Sequence, residues 1–294
     1  MTESAIDAQT VQLLQTIPKG IHFAGLLGFP ISHSRSPALH NEWFQKLNLN
    51  AEYLLFPCQD ALHAQQLLYS LMSNPLFLGA NITIPFKQTF LSQWPISAVD
   101  SLVLKSGAAN TLYRCGAKQS WHLANTDVFG IERTVTIHFP NLLNQTFDLL
   151  ILGGGGAAAA VLASPLIQAL RNSCQVIVRN PEQSIAKTQA LSILNKDTIR
   201  TPKNWRPIPN SNLPILVINT LPLGHNNEEN SIAKNTIDAI AKSGRPQCFY
   251  FDLVYSKTPA VKQAQSAGWQ SCDGSTMLRE QARKSFELWT GNCP

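Results

Sequence analysis

Apolar and polar positions change their rhythm about halfway along this chain, and the change predicts two kinds of sheet. In the first half the apolar runs are short and broken. Ile21–Phe29 (IHFAGLLGF), Ala51–Cys58 (AEYLLFPC) and Gly79–Phe86 (GANITIPF) each read as a strand. In the third, Ile82 and Ile84 alternate with Asn81 and Thr83 until Pro85 ends the pairing. Helical patterns fall between them. SPALHNEWFQKL starts a helix with Ser36 as N-cap and Pro37 at the first helical position, and ALHAQQLLYSLM forms another. Such alternation predicts a mostly parallel sheet.

From Phe147 onward the runs become continuous. FDLLIL, QVIVRN (Gln175–Asn180), PILVINT (Pro214–Thr220) and QCFYFDLVY (Gln247–Tyr255) carry almost no alternation. Strands of that kind are buried on both faces, as in a doubly wound fold. GSTMLREQARKSFELWTG closes the chain as one amphipathic helix stopped by Gly291. A helix over Thr126–His138 links the halves, which puts a boundary near Asn125. Pro165 falls inside the helix expected after the central glycines, where proline costs roughly 3 kcal/mol, so a kink or early end is expected there.

Composition narrows the classes. The 294 residues allow one large or two ordinary domains, with 44% hydrophobic residues for a core. The net charge of +5, from 23 basic and 18 acidic residues, is spread without blocks of like sign. That speaks against nucleic-acid and membrane partners and suits small anionic ligands. The polar, acid-containing start resembles neither a secretory signal nor a transit peptide. Six dispersed cysteines without a CxxC pair argue against a metal site and against a disulfide framework, and fit a reduced, cytoplasmic protein.

The central glycines carry the first candidate chemistry. In LGGGGAAAA, Gly153 permits a tight turn, Gly155 lets the backbone approach a pyrophosphate, and Gly156 or Ala157 allows close helix packing, with Gly154 between them. A strand before and a helix after favour dinucleotide binding over a plain core turn. At the end of the next strand stand Arg179 and Asn180, where NAD sites want an acid and NADP sites an arginine. NADP(H) is favoured, although Arg179 could also be an ordinary loop residue.

A second set of polar residues lies at element ends in the first half. Ser34 and Ser36 are two apart and suit a carboxylate or polyol, unless they only cap a helix and meet solvent. Thr83, Asn110 and Asp127 could each be a turn or cap residue. His33 and His40 have no metal-like partner and read as structural or peripheral. Lys87, just past GANITIPF, is either a solvated loop charge or a group placed to handle a proton.

The ordered set GFPISHSRSPALHN, GANITIPFK, SGAANT, NTDVFG, LGGGGAA, INTLPLG, DLVY and DGSTMLREQ resembles the shikimate dehydrogenase family from Gly28 to Gln281. The resemblance implies an α/β fold in which an N-terminal substrate domain with a mostly parallel sheet (1–124 with 262–294) precedes a Rossmann-type NADP-binding domain (125–261), with a cleft between them. It implies reversible NADPH-dependent reduction of 3-dehydroshikimate to shikimate, a step of chorismate and aromatic amino acid biosynthesis, in a monomer or homodimer. Ser34 and Ser36 would hold the substrate carboxylate. Thr83, Asn110, Asp127 and Gln281 would bind ring hydroxyls, with Tyr255 nearby, and Lys87 and Asp127 would form the catalytic pair. Gly153–Ala157 would cradle the pyrophosphate, Arg179 and Asn180 would meet the adenosine phosphate, and Leu253 and Gly274 would line the nicotinamide pocket.

The chain departs from the family pattern in four places. Arg179 precedes Asn180 where asparagine usually comes first, Val128 stands where glycine follows NTD, His225 follows INTLPLG, and SKTPA follows Tyr255. Two other readings share most of these motifs: an NAD-dependent quinate/shikimate dehydrogenase, and a non-catalytic NADPH-binding regulator. A lysine ammonium can protonate the alkoxide left by hydride transfer when burial or a neighbouring cation lowers its pKa from about 10.4.

Overall fold

The computed structural model describes residues 8–116, 119–207, 211–222 and 230–294. His225 and the end of INTLPLG lie outside them. The chain forms two compact units. One holds the described residues up to Leu104, Ala108–Thr126 and Ala282–Pro294, and the other holds Lys105–Gly107 and Asp127–Gln281.

The first unit is built on β1 (His22–Gly28), β2 (Ala51–Pro57), β3 (Phe77–Ile82), β4 (Thr111–Cys115) and β5 (Ser120–Ala124), in the order β2-β1-β3-β4-β5. β1 runs parallel to β2 and β3, as the strand–helix alternation predicts. The antiparallel pairs β3–β4 and β4–β5 do not follow from that alternation. Alternating side chains of β1 feed two cores, Phe23 and Leu27 on one side, Ala24 and Leu26 on the other. Its helices are α1 (Ala8–Gln15), α2 (Ser36–Lys46), α3 (Ala61–Met72) and α4 (Ser101–Ser106). Leu67, Leu68 and Leu71 of α3 fill the first core. Trp43 and Phe44 of α2 fill the second, together with Phe286 and Trp289 from the C-terminal helix.

Two elements begin or end elsewhere than the sequence predicts. Arg35, already helical at φ −85° and ψ −6°, takes the N-cap of α2, so Ser36 is the first helical residue and not the cap. The β3 ladder stops at Ile82, short of Phe86. Thr83 still donates to the Leu27 carbonyl (2.9 Å), but Phe86 N–H then turns back to the Thr83 carbonyl (2.8 Å) around Pro85, which has no N–H to give. Thr83 and Lys87 therefore sit on a turn beyond the strand, and Ile84 is left exposed.

The second unit begins with α5 (Thr126–His138), whose first residue still belongs to the first unit. Its strands are β6 (Phe147–Leu152), β7 (Arg171–Ile177), β8 (Ile199–Arg200), β9 (Ile215–Asn219), β10 (Cys248–Asp252) and β11 (Gln270–Cys272). They pair in parallel in the order β11-β10-β9-β6-β7-β8, which is the dinucleotide-binding order counted from β6. Between and after them run α6 (Gly156–Ala163), α7 (Pro165–Leu170), α8 (Pro181–Lys187), α9 (Gln189–Ser192), α10 (Ser231–Ala241), α11 (Pro259–Ser266) and α12 (Ser275–Thr290). The expected break at Pro165 is present. α6 ends at Ala163, and the Ser164 hydroxyl caps α7 by accepting from Ile167 N–H at 3.1 Å. At the amino ends of the strands, the buried Asp148 carboxylate accepts from Arg245 (2.7 Å), Ser173 (2.6 Å), Asn172 (3.1 Å) and Ser211 (3.0 Å). Burial pushes that carboxyl's pKa up, but these bonds together outweigh it and hold the group below its ordinary value.

His40 is a packing residue, as the sequence suggests. Its ring stacks on Tyr53 at 4.3 Å among Trp43, Phe286 and Trp289, and neither nitrogen has a partner among the described residues. Burial lowers its pKa from 6.5 to about 3. The unfolded chain therefore takes up a proton below pH 6.5 that the folded protein refuses, and stability falls as pH drops from 6.5 toward 3. Urea unfolding should show a loss from this site of about 2 kcal/mol between pH 7 and pH 5. His40→Phe should remove that share of the slope. Identical slopes for the two proteins would refute it.

Candidate active site

Each polar residue singled out in the first unit lies at one edge of its sheet. Ser34 and Ser36 follow β1, Thr83 and Lys87 follow β3, and Asn110 precedes the antiparallel β4. β5 runs antiparallel to β4, so its end delivers Thr126, and Asp127 is the next residue.

The half-buried Ser34 accepts the Ser36 N–H through its hydroxyl at 3.2 Å. Ser36 is buried. Burial pushes the Tyr53 phenol's pKa well above 10, although the Ser36 hydroxyl lowers it slightly. Lys87 is half-buried, and its carbonyl accepts the Ala109 N–H at 2.7 Å, which laces its turn to the segment carrying Asn110. The Asn110 carboxamide oxygen accepts the Thr126 N–H at 2.7 Å and so holds the start of α5. Asp127 is buried in the first turn of α5, where the helix dipole favours a negative charge.

Beneath this edge lies a polar network absent from the sequence reading. The buried Asn81 donates to Ser285 Oγ (2.9 Å), Thr111 Oγ1 (3.2 Å) and the Asn110 carbonyl (3.3 Å), and accepts from the Tyr53 hydroxyl (2.8 Å). Ser285 also pairs with Thr111 and Thr126, each at 3.0 Å. An asparagine inside an apolar strand is the one signal that could have found this hub.

In the second unit the singled-out residues again collect at the carboxyl edge, apart from Gln281. Gly153 adopts φ +110°, and a Cβ there would strike Thr220 Oγ1. The close approach to the neighbouring strand falls to Gly154, where a Cβ would lie 2.7 Å from Val178 Cγ1. Gly156 and Ala157 are half-buried at the start of α6. Among the described residues nothing lies within 4 Å of a Cβ built at Gly155, the N-cap of α6, and no side chain caps that helix. A helix N-terminus without a side-chain cap among the described residues fits an anionic pyrophosphate.

Arg179 and Asn180 are exposed beyond β7. Asn180 also caps α8, accepting from Gln183 N–H at 3.0 Å. Leu253 and the half-buried Tyr255 follow β10, and Gly274 follows β11. Leu253 donates to the Asn219 carbonyl (3.0 Å) and Gly274 to the Val254 carbonyl (3.0 Å). The Gly274 backbone lies so close to Leu253 that a Cβ would meet the Leu253 carbonyl. Gln281 is buried on α12, and its amide donates to the Leu278 carbonyl at 2.9 Å. α12 crosses α5 at Gly130, where a Cβ would be 3.0 Å from the Gln281 Cβ. Among the described residues no cluster of histidine, cysteine or acidic side chains could hold a metal ion, and no helix is long and apolar enough to cross a membrane.

Two α/β units, one with dinucleotide-binding strand order and an open glycine turn, define a nucleotide-dependent oxidoreductase with a separate α/β domain. The model of the shikimate dehydrogenase substrate binding domain matches residues 26–112. The chain is 31% identical over 284 residues to the shikimate dehydrogenase (NADP(+)) of Paracoccus denitrificans, covering 94% of this chain and 93% of that protein. The chain belongs to the shikimate dehydrogenase family. Its fold matches the crystal structure of shikimate dehydrogenase from Aquifex aeolicus with a TM-score of 0.75 at 25% identity, over 95% of this chain and 96% of that one. It also matches the fold of quinate dehydrogenase from Corynebacterium glutamicum in complex with NAD, with a TM-score of 0.73 at 24% identity over 93% and 95% of the two chains.

The network makes a direct stability prediction. Asn81→Ala takes the acceptor from the buried Tyr53 hydroxyl and removes the bonds to Thr111 and Ser285, so chemical unfolding should report a loss of about 2–4 kcal/mol. A loss below about 1 kcal/mol would mean that these groups find other partners.

Proposed function

We propose that this protein reversibly reduces 3-dehydroshikimate to shikimate with NADPH, with Lys87 as the proton-handling group. One observation carries the reading: strands β1, β3, β4 and β5 bring Ser34, Ser36, Thr83, Lys87 and Asn110 to a single sheet edge that ends on Asp127. The paired serine hydroxyls suit the substrate carboxylate, and the short polar side chains of Thr83, Asn110 and Gln281, with Tyr255, suit its ring hydroxyls. Gly153–Ala157 would hold the cofactor pyrophosphate, Arg179 and Asn180 its 2′-phosphate, and Leu253 and Gly274 its nicotinamide. The bound cofactor supplies the hydride.

The protein's own task is position and the proton. As the carbonyl carbon receives hydride, its oxygen becomes an alkoxide, and Lys87 Nζ donates a proton to it. In the reverse direction the Lys87 amine accepts the hydroxyl proton. Asp127 orients the amine and a substrate hydroxyl. The backbone bond from Ala109 to the Lys87 carbonyl supports this role, because it fixes the turn that carries the amine. Six cysteines dispersed along the chain fit work in a reducing cytoplasm. A quinate/shikimate dehydrogenase using NAD is the second reading, favoured by the reversed order of Arg179 and Asn180.

Lys87→Ala should lower kcat by about 100-fold or more while the shikimate KM stays within a few-fold. Near-normal turnover would remove Lys87 from the mechanism. Oxidation of shikimate and of quinate, each with NADP and with NAD, decides the cofactor and substrate. Preference for NAD with quinate would replace the first reading by the second.

A further inference from the structure

The carboxyl end of β10 holds an acid to which nothing above gives a task. Asp252 is fully buried and ends an otherwise apolar strand. Its Oδ1 accepts from Asn219 Nδ2 and from Val254 N–H, both at 3.1 Å. Its Oδ2 accepts from Thr258 Oγ1 at 2.8 Å and from the Tyr250 hydroxyl at 3.1 Å. These four donors come from the end of β9, from β10, from the segment just past β10, and from the N-cap of α11. One carboxylate thus ties together the elements that surround Leu253.

Leu253 is consequently fixed from both sides. Its own N–H donates to the Asn219 carbonyl, and its neighbour Val254 is held by Asp252. The Val254 carbonyl in turn accepts the Gly274 N–H, and Gly274 packs directly on the Leu253 backbone. An apolar residue would be cheaper to bury at the end of such a strand. What the carboxylate adds is a set of directed bonds to the backbone on which Leu253 and Gly274 depend.

We infer that Asp252, supported by Thr258 and Asn219, is a positioning residue for hydride transfer: it sets the Leu253–Gly274 surface against which the nicotinamide ring is held. The inference rests on the reading of Leu253 and Gly274 given under the proposed function. A displacement of about 1 Å at such a surface costs on the order of 100-fold in rate, with little change in substrate binding by the other unit.

The test measures steady-state kinetics and the primary deuterium isotope effect with 4-deuterated NADPH for Asp252→Asn, Thr258→Val, Thr258→Ser and Gly274→Ala. Asp252→Asn and Thr258→Val should lower kcat by about 10-fold or more and raise the isotope effect, with the 3-dehydroshikimate KM within about 3-fold. Thr258→Ser, which keeps the hydroxyl, should restore both values. If Asp252→Asn does not fold, the two Thr258 variants decide. Loss of thermal stability with unchanged kcat and isotope effect, while Gly274→Ala impairs hydride transfer, would overturn the inference alone. If Gly274→Ala also leaves hydride transfer untouched, the nicotinamide reading of Leu253 and Gly274 fails, and the inference falls with it.

Discussion

Asn81 is buried away from bulk solvent, and much of the first unit follows from that. Its carboxamide is buried at the end of a strand, so each polar atom must find a protein partner, and it finds them on β2, β4 and the C-terminal helix. The requirement is geometric as well as energetic, because the amide nitrogen donates in fixed directions. Meeting it sets the position of Thr111, then of Asn110 and Thr126, and so of the edge where the proposed substrate residues stand. Packing alone would leave that edge free to shift by small amounts.

The second unit solves the same problem with an acid. Asp252 gathers four donors at the carboxyl end of the sheet, while Asp148 gathers another set at the amino end. The two differ in what surrounds them. Asp148 meets a guanidinium and knits strand beginnings together, far along the strands from the glycine turn. Among the described residues Asp252 receives only neutral donors, and the elements it joins carry Leu253 and lead to Gly274. In a doubly wound sheet the carboxyl ends are where ligands are received, so equal investment in polar bonds serves different ends at the two edges.

Most of the architecture was legible because long apolar runs leave little choice. β6, β9 and β10 announce themselves by continuous hydrophobicity, and Thr126–His138 and Ala61–Met72 run as helices over the residues their periodicity gives. The hairpin of β4 and β5 and the two- and three-residue strands β8 and β11 were not legible, since so few positions cannot display a period. The end of β3 was misplaced because alternation continues through Ile84 although the backbone has already turned. The candidate site residues stand out through motifs at element ends. Their supports do not, because Asn81 meets partners 30 and 204 positions away, and separation of that kind leaves no local mark.

α12 gives the molecule an awkward order of assembly. Phe286 and Trp289 fill a core of the first unit, Ser285 completes its polar network, and Trp289 donates to the Leu112 carbonyl at 2.9 Å. All three are translated only after the whole of Asp127–Gln281. On the ribosome, the unit whose strands emerge first must therefore wait with one sheet face only partly covered and Asn81 short of a partner, while the later unit already has all its own residues. A nascent chain of this protein exposes its oldest sheet longest, and that is the face a chaperone would have to guard.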